Sequence, residues 1–186
     1  FLRKNFRPDW RLLSRIEQDV GRLRRQAIYG KQDWGPVYLA GLFAPLGDVD
    51  SEKLGEQFNL SRTERNVLAQ TKSARGLIQK LRKKRPASEV YELLESLPAE
   101  IICFIRTQTS DKIISQSIDD FFKRSRHART ELTGDDLQRL GVSSGKRMWE
   151  ILRALLLKRI DRKISSREEE IQTVKSMMLQ SLLKKE

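Results

Sequence analysis

The chain has 186 residues, enough for one compact domain or two small ones, with 38% hydrophobic and 33% charged residues. Lys and Arg number 37 against 25 acids, a net charge of +12, which favours a polyanionic partner: RNA, DNA or an anionic membrane surface. There is no apolar run long enough to span a bilayer, no apolar segment after Phe1-Leu2-Arg3-Lys4, and a single cysteine, Cys103; the reading excludes a transmembrane helix, an internal disulfide and a cysteine-based zinc site, and expects a cytoplasmic chain.

Helical periodicity dominates from the start. Trp10, Leu13, Ile16, Val20, Leu23 and Ala27 recur at three- and four-residue steps, predicting a helix from about Asp9 to Ile28, with Asp9 as N-cap and Gly30 as stop. The turn Trp34-Gly35-Pro36 leads into an apolar run, Val37 to Leu46, read as a buried helix interrupted by Pro45. A short helix covers Ser51 to Phe58. Ser61-Arg62-Thr63-Glu64 has the capping-box form and opens a helix to about Leu81, ahead of a basic run closed by Pro86.

Further helices are predicted from Pro86-Ala87-Ser88-Glu89, from Pro98 to about Thr107, and from Ser110 to about Arg124, the last with Ile113, Ile114, Ile118, Phe121 and Phe122 inward. Composition shifts near Arg126 to Leu132. Thr133-Gly134-Asp135-Asp136 forms a second capping box, opening a short helix to Leu140. After the turn Gly141 to Gly145, a long helix runs from Lys146 to about Arg162. Ser166-Arg167-Glu168-Glu169 caps a final helix whose Ile171, Val174, Met178 and Leu182 share a face. No convincing period-two pattern occurs, so the fold class is all-α.

Isolated catalytic candidates are weak. His127 is the one histidine and lies among arginines, as an exposed surface residue would. Cys103 sits in the apolar string Ile101-Ile102-Cys103-Phe104 and reads as a core thiol. Trp10 and Trp149 read as core aromatics, and Asp135 and Asp136 as helix caps. No glycine-rich phosphate loop is present.

Two blocks resemble one enzyme family. The sharper block is Leu132-Thr133-Gly134-Asp135-Asp136-Leu137, then Leu140-Gly141-Val142, Gly145 and Ile151-Leu152, ending at Arg167-Glu168-Glu169-Glu170. The other is Leu60-Ser61-Arg62-Thr63-Glu64-Arg65, followed by Pro86 to Leu94 and by Leu97-Pro98-Ala99-Glu100. In order and spacing they are similar to the helical region of tRNA nucleotidyltransferases and bacterial poly(A) polymerases, over roughly residues 55 to 180. The resemblance implies a multi-helix neck and body followed by a small helical tail, with no nucleotidyltransferase head sheet, and the composition shift near Arg126 to Leu132 divides them into 1–128 and 129–186. Two loops depart from the family pattern. Gly141-Val142-Ser143-Ser144-Gly145-Lys146 replaces a proline-rich turn, and Asp161-Arg162-Lys163 stands where Asp-Gly-Lys is common.

Such enzymes add nucleotides to an RNA 3′ end with metal-held carboxylates in an N-terminal head. Asp48-Val49-Asp50 is the one Asp-x-Asp string, but no strand precedes it, so it reads as a turn and N-cap. The Glu-Asp-x-x-Arg string that selects nucleotides in the family is missing as well. The expectation is therefore a piece of a longer protein, beginning at Phe1 after its catalytic head. No catalytic residue, metal ligand or cofactor is assigned to this chain, while Mg2+ and ATP or CTP are expected for the head.

The implied partners are tRNA, at its acceptor stem and outer corner, and the upstream head of the same protein, with no membrane. The implied activity of the parent is transfer of nucleotides to the tRNA 3′ end (CCA, CC or A addition). A poly(A) polymerase C-terminal region, or a stand-alone helical nucleic-acid-binding module without enzyme activity, remains open as the alternative. Candidate RNA-binding residues are Arg82, Lys83, Lys84 and Arg85; Lys123, Arg124, Arg126 and Arg129; Lys146 and Arg147; and Lys158, Arg159, Arg162 and Lys163. An earlier cluster, Arg22, Arg24 and Arg25, is a weaker candidate.

Overall fold

The computed structural model describes residues 6–46 and 51–183. Among these, every regular element is helical: α1 (Trp10–Arg24), α2 (Gly35–Phe43), α3 (Ser51–Gln57), α4 (Arg62–Leu81), α5 (Ala87–Leu94), α6 (Ala99–Thr107), α7 (Lys112–Lys123), α8 (Gly134–Arg139), α9 (Lys146–Ile160) and α10 (Arg167–Leu183). Three short 3-10 segments lie at Ala27–Tyr29, Ala44–Leu46 and Ser125–His127. The all-α expectation holds. Asp48-Val49-Asp50 lies outside the described residues.

The chain divides into two units, Phe1–Arg85 with Val90–Lys123, and Pro86–Glu89 with Arg124–Glu186.

In the first unit, local signals set the helix starts. The Asp9 carboxylate accepts from the Leu12 N–H at 3.0 Å. The Ser61 hydroxyl accepts from the Glu64 N–H while the Glu64 carboxylate accepts from the Ser61 N–H, closing the capping box reciprocally. α2 packs on α1, α4 and α6, α3 on α4, and α7 on α4 and α6. The core runs from Ile16, Val20 and Leu23 through Val37 and Ala40 to Ile101, Ile102, Ile105, Ile114, Ile118, Phe121 and Phe122, and Cys103 is buried in it. α1 approaches α2 so closely that a Cβ at Gly41 would meet Ile16 Cδ1 at 2.3 Å.

A partly buried polar cluster borders this core. The Tyr29 hydroxyl donates to the Asp119 carboxylate, and Arg106 Nε donates to the same oxygen at 3.3 Å. Burial, with the hydrogen bond to Asp119, pushes the Tyr29 hydroxyl well above its ordinary pKa. The Tyr29 ring packs against Phe122 with centroids 4.7 Å apart.

Several sequence expectations shift. α1 ends at Arg24, and Ala27 falls in the following 3-10 segment, closed by Gly30 at φ 61°. Trp10 is 70% exposed and Trp149 65% exposed, so neither is a core residue. The cause is the same for both. Each precedes the first fully committed core residue of its helix, Leu12 or Ile151, by two positions, about 200° around the axis. Ile113 is 42% exposed because the buried stripe of α7 is Ile114, Ile118, Phe121 and Phe122, and position 113 falls beside it.

Candidate nucleic-acid interface

The second unit has a small apolar core: Leu132, Leu137, Val142, Ile151, Leu155, Ile164 and Val174. α8 and α10 each pack on α9. Thr133 and Asp136 form a reciprocal capping box at the start of α8. Ser166 and Glu169 do the same for α10, where the Ser166 hydroxyl accepts from the Glu169 N–H and the Glu169 carboxylate accepts from the Ser166 N–H, both at 3.3 Å.

A carboxylate completes what the apolar core leaves undone. Glu170 is fully buried. Its Oε2 accepts from the Leu132 N–H at 2.8 Å and the Glu131 N–H at 3.0 Å, and its Oε1 accepts from Arg159 Nη1 at 2.6 Å. Arg159 also donates to the Glu131 carboxylate and, at 3.1 Å, to the Ser165 carbonyl. These two carboxylates hold the Arg159 guanidinium above its ordinary pKa. Arg167 spans the other side, donating to Asp136 Oδ1 at 2.7 Å and to the Glu131 carbonyl at 3.2 Å. The Thr133 N–H, with Arg167 beside it, holds the Asp136 carboxyl well below the usual carboxylate range. The string Arg167-Glu168-Glu169-Glu170 thus has a structural use. Arg167 grips the α8 start, Glu169 caps α10, and Glu170 ties the loop before α8 to α9.

The C-terminus of α9 is the second organised feature. Asp161, its C-cap, accepts from the Ser88 N–H and the Ser88 hydroxyl, each at 2.9 Å, and from the Lys163 ammonium at 3.1 Å. Burial works against the charge of Asp161, yet the Ser88 N–H, Lys163 and the Ser88 hydroxyl hold its carboxyl below the usual range. Beside it, Arg124, Ser125 and Ala128 meet Arg159, Ile160 and Arg162 around a cleft of about 200 Å³.

The basic candidates therefore separate. Arg124, Arg159 and Arg162 come together at the cleft, with Lys158 and Lys163 on the same helix end. Arg129 donates to the Ala128 carbonyl at 2.7 Å and the Arg126 carbonyl at 3.3 Å, which folds the 124–129 loop onto itself. Lys146 and Arg147 are exposed at the opposite end of α9, about 22 Å away along a helix of 15 residues. Arg82, Lys83, Lys84 and Arg85 follow α4 in the first unit, where Arg85 Nε donates to the Lys80 carbonyl at 2.9 Å. Lys123 is exposed at the end of α7. Arg22 pairs with Asp19 at 2.8 Å. In the sequence Arg159 stands in one basic cluster with Lys158, Arg162 and Lys163. The Glu170 clamp that sets it apart depends on a pairing 11 residues away, across a loop, which helical spacing does not reveal.

Among the described residues, no group of three or more His, Cys, Asp and Glu is placed to hold a metal ion. No helix among them is long and apolar enough to cross a membrane. His127 is exposed.

No protein-family model matches the chain. Over 84 residues, 45% of its length, the chain is 31% identical to an A-adding tRNA nucleotidyltransferase of Geobacter sulfurreducens, and the match spans 10% of that relative. A solved Thermotoga maritima CCA-adding enzyme complexed with tRNA is similar over 94% of this chain and 43% of its own, with a TM-score of 0.70 and 21% identity. A CCA-adding enzyme in an apo form covers 89% of this chain and 40% of its own, with a TM-score of 0.67 and 22% identity. Another, in complex with ATP, covers 93% and 42%, with a TM-score of 0.66 and 23% identity. The chain thus spans less than half the length of the proteins it matches. The resemblance read from the sequence holds: this is an all-α chain with the fold of part of the CCA-adding enzymes, similar in sequence to an A-adding tRNA nucleotidyltransferase.

Proposed function

We propose that this chain is the RNA-holding part of a template-independent nucleotidyltransferase that extends the 3′ end of tRNA. The observation that carries the reading is the likeness, over most of the chain, to a CCA-adding enzyme whose solved form holds tRNA. The +12 charge supplies the matching electrostatics. Within each unit, caps and an apolar core, joined in the second by the Glu170 clamp, present basic side chains on a frame of packed helices. Such a frame suits duplex RNA, which is recognised chiefly by shape, phosphates and 2′-hydroxyls.

In this reading the chain positions RNA and a separate head performs the transfer with Mg2+ and ATP or CTP. The candidate RNA-gripping residues remain the basic groups named above, with the role of Arg159 narrowed. Arg159 acts mainly as a clamp within the fold, and Lys158, Arg162 and Lys163 carry the contacts at its end of α9. The test is direct titration of a tRNA transcript with the 186-residue chain at increasing salt, with nucleotide incorporation assayed in parallel. The expected result is salt-sensitive binding without incorporation of CMP or AMP. Incorporation by this chain would reject the division of labour, and absence of binding at low salt would reject the RNA-holding role.

A further inference from the structure

Three helices end in the same hydrogen-bond arrangement. After α3, Leu60 N–H donates to the Gly55 carbonyl at 2.9 Å and Asn59 N–H to the Glu56 carbonyl at 3.4 Å. After α8, Val142 N–H donates to the Leu137 carbonyl and Gly141 N–H to the Gln138 carbonyl, both at 2.9 Å. After α9, Lys163 N–H donates to the Lys158 carbonyl at 2.9 Å and Arg162 N–H to the Arg159 carbonyl at 3.0 Å. Each is a Schellman motif, whose penultimate residue must take a left-handed backbone conformation. The first two use asparagine at φ 51° and glycine at φ 87°, the residues that tolerate this region best. The third uses Arg162 at φ 59°. Among the described residues, its side chain has no hydrogen-bond or ion-pair partner that would hold the turn in exchange.

An arginine kept at a position that disfavours it is informative when the side chain has a destination. Here it has one, since Arg162 lines the 200 Å³ cleft with Arg124 and Arg159, over Ser125, Ala128 and Ile160. Arg159 is already matched by two carboxylates, Glu131 and Glu170, so it shapes the wall and adds little attraction. Asp161 is not among the cleft-lining residues and is engaged by Ser88 and Lys163. The cleft therefore presents guanidinium N–H groups in a fork geometry that suits an oxyanion with two or three accepting oxygens. A guanidinium has five donors, so those bound elsewhere in the fold retain others for a ligand.

We propose that this cleft is a seat for one backbone phosphate of the bound RNA, gripped by Arg162 with Arg124 across from it. The proposal rests on the RNA-holding reading and locates one contact within it. It also gives the unfavourable backbone residue a use, since the residue in the left-handed turn is one of those lining the cleft.

The distinguishing experiment uses Arg162→Gly, because fold and function then move in opposite directions. Glycine relieves the backbone conformation, so the variant should melt no lower than wild type. Its affinity for a tRNA transcript should fall about fivefold at moderate salt, and the slope of log affinity against log salt should lose about one phosphate contact. Arg162→Lys should recover part of the affinity, since charge without the planar fork is restored. Wild-type binding of tRNA combined with unchanged affinity and slope in Arg162→Gly overturns the phosphate seat and leaves the RNA-holding reading standing. No tRNA binding by wild type overturns both. A third arm adds inorganic phosphate at matched ionic strength. If phosphate raises the melting temperature of wild type but not of Arg162→Gly, while RNA affinity is the same in both, the cleft takes a free anion and the assignment to RNA is overturned.

Discussion

The two units of this chain solve the same packing problem with different means. The first buries a long series of Ile, Leu, Val and Phe side chains from six helices, and admits one polar cluster, Tyr29 with Asp119 and Arg106. The second has three principal helices and a short list of apolar core residues, so it adds a buried carboxylate that ties loop, α9 and α10 together. The contrast follows from size: a small unit buries a lesser share of its surface and depends more on specific staples. It also bears on function. Polar staples consume charged residues: in the second unit Arg159 and Arg167 hold the fold, which narrows the set proposed to contact RNA.

Truncation of the apolar core should have the largest effect. Phe122→Ala is expected to cost about 3–5 kcal/mol, since Phe122 is almost wholly buried against Tyr29 and Phe121. Denaturant unfolding measures this, and a loss below about 1 kcal/mol would contradict the core assigned to the first unit. The corresponding break in the second unit is Glu170→Ala. It leaves the Glu131 and Leu132 N–H groups without their acceptor and removes one partner of Arg159, at a cost of about 3 kcal/mol. Hydrogen exchange should localise that loss to residues 124–183. Uniform loss of protection across both units would argue against two separable units.

How much of this was legible beforehand follows from the range of each interaction. Helix starts were readable because a cap is decided within four residues, as at Asp9, Ser61, Thr133 and Ser166. The all-α class followed from periodicity alone. The exposed positions of Trp10 and Trp149 were not, because residue type outweighed phase in the reading while phase decided the outcome. The Glu170 clamp was hidden for a further reason. An acidic string at a helix start satisfies the dipole rule wherever it points, and burial of its last member depends on a partner loop 38 residues earlier. The gathering of Arg124 with Arg162 joins a loop and a helix end by the same kind of long-range closure.

Smaller effects sharpen the comparison between the polar clusters. Tyr29→Phe should cost about 1–2 kcal/mol near neutral pH, because Asp119 keeps Arg106 but loses the hydroxyl donor. Its pH signature has a definite sign. The folded state holds the Tyr29 hydroxyl neutral to higher pH than the unfolded chain, so its contribution is complete below about pH 10 and is lost as pH rises beyond. Tyr29→Phe should remove that part of the alkaline decline. Asp136 has the opposite sign. Its depressed carboxyl stabilises the fold above about pH 4 and loses that contribution as pH falls, so the advantage of wild type over Asp136→Asn should shrink with acidification in thermal melts. A gap that widens on acidification would contradict the Thr133 and Arg167 bonds to this carboxylate.

The account as a whole turns on whether this scaffold holds RNA through phosphate contacts separable from its structural charges. The most direct measurement is tRNA affinity as a function of salt for wild type and for Lys158, Arg162 and Lys163 replaced together by Ala, with Arg159 left in place. The prediction is a steep negative salt dependence for wild type, and for the variant a weaker affinity and a slope shallower by about two to three contacts, while both fold. Equal affinities and slopes for the two folded proteins, or binding indifferent to salt, would contradict it.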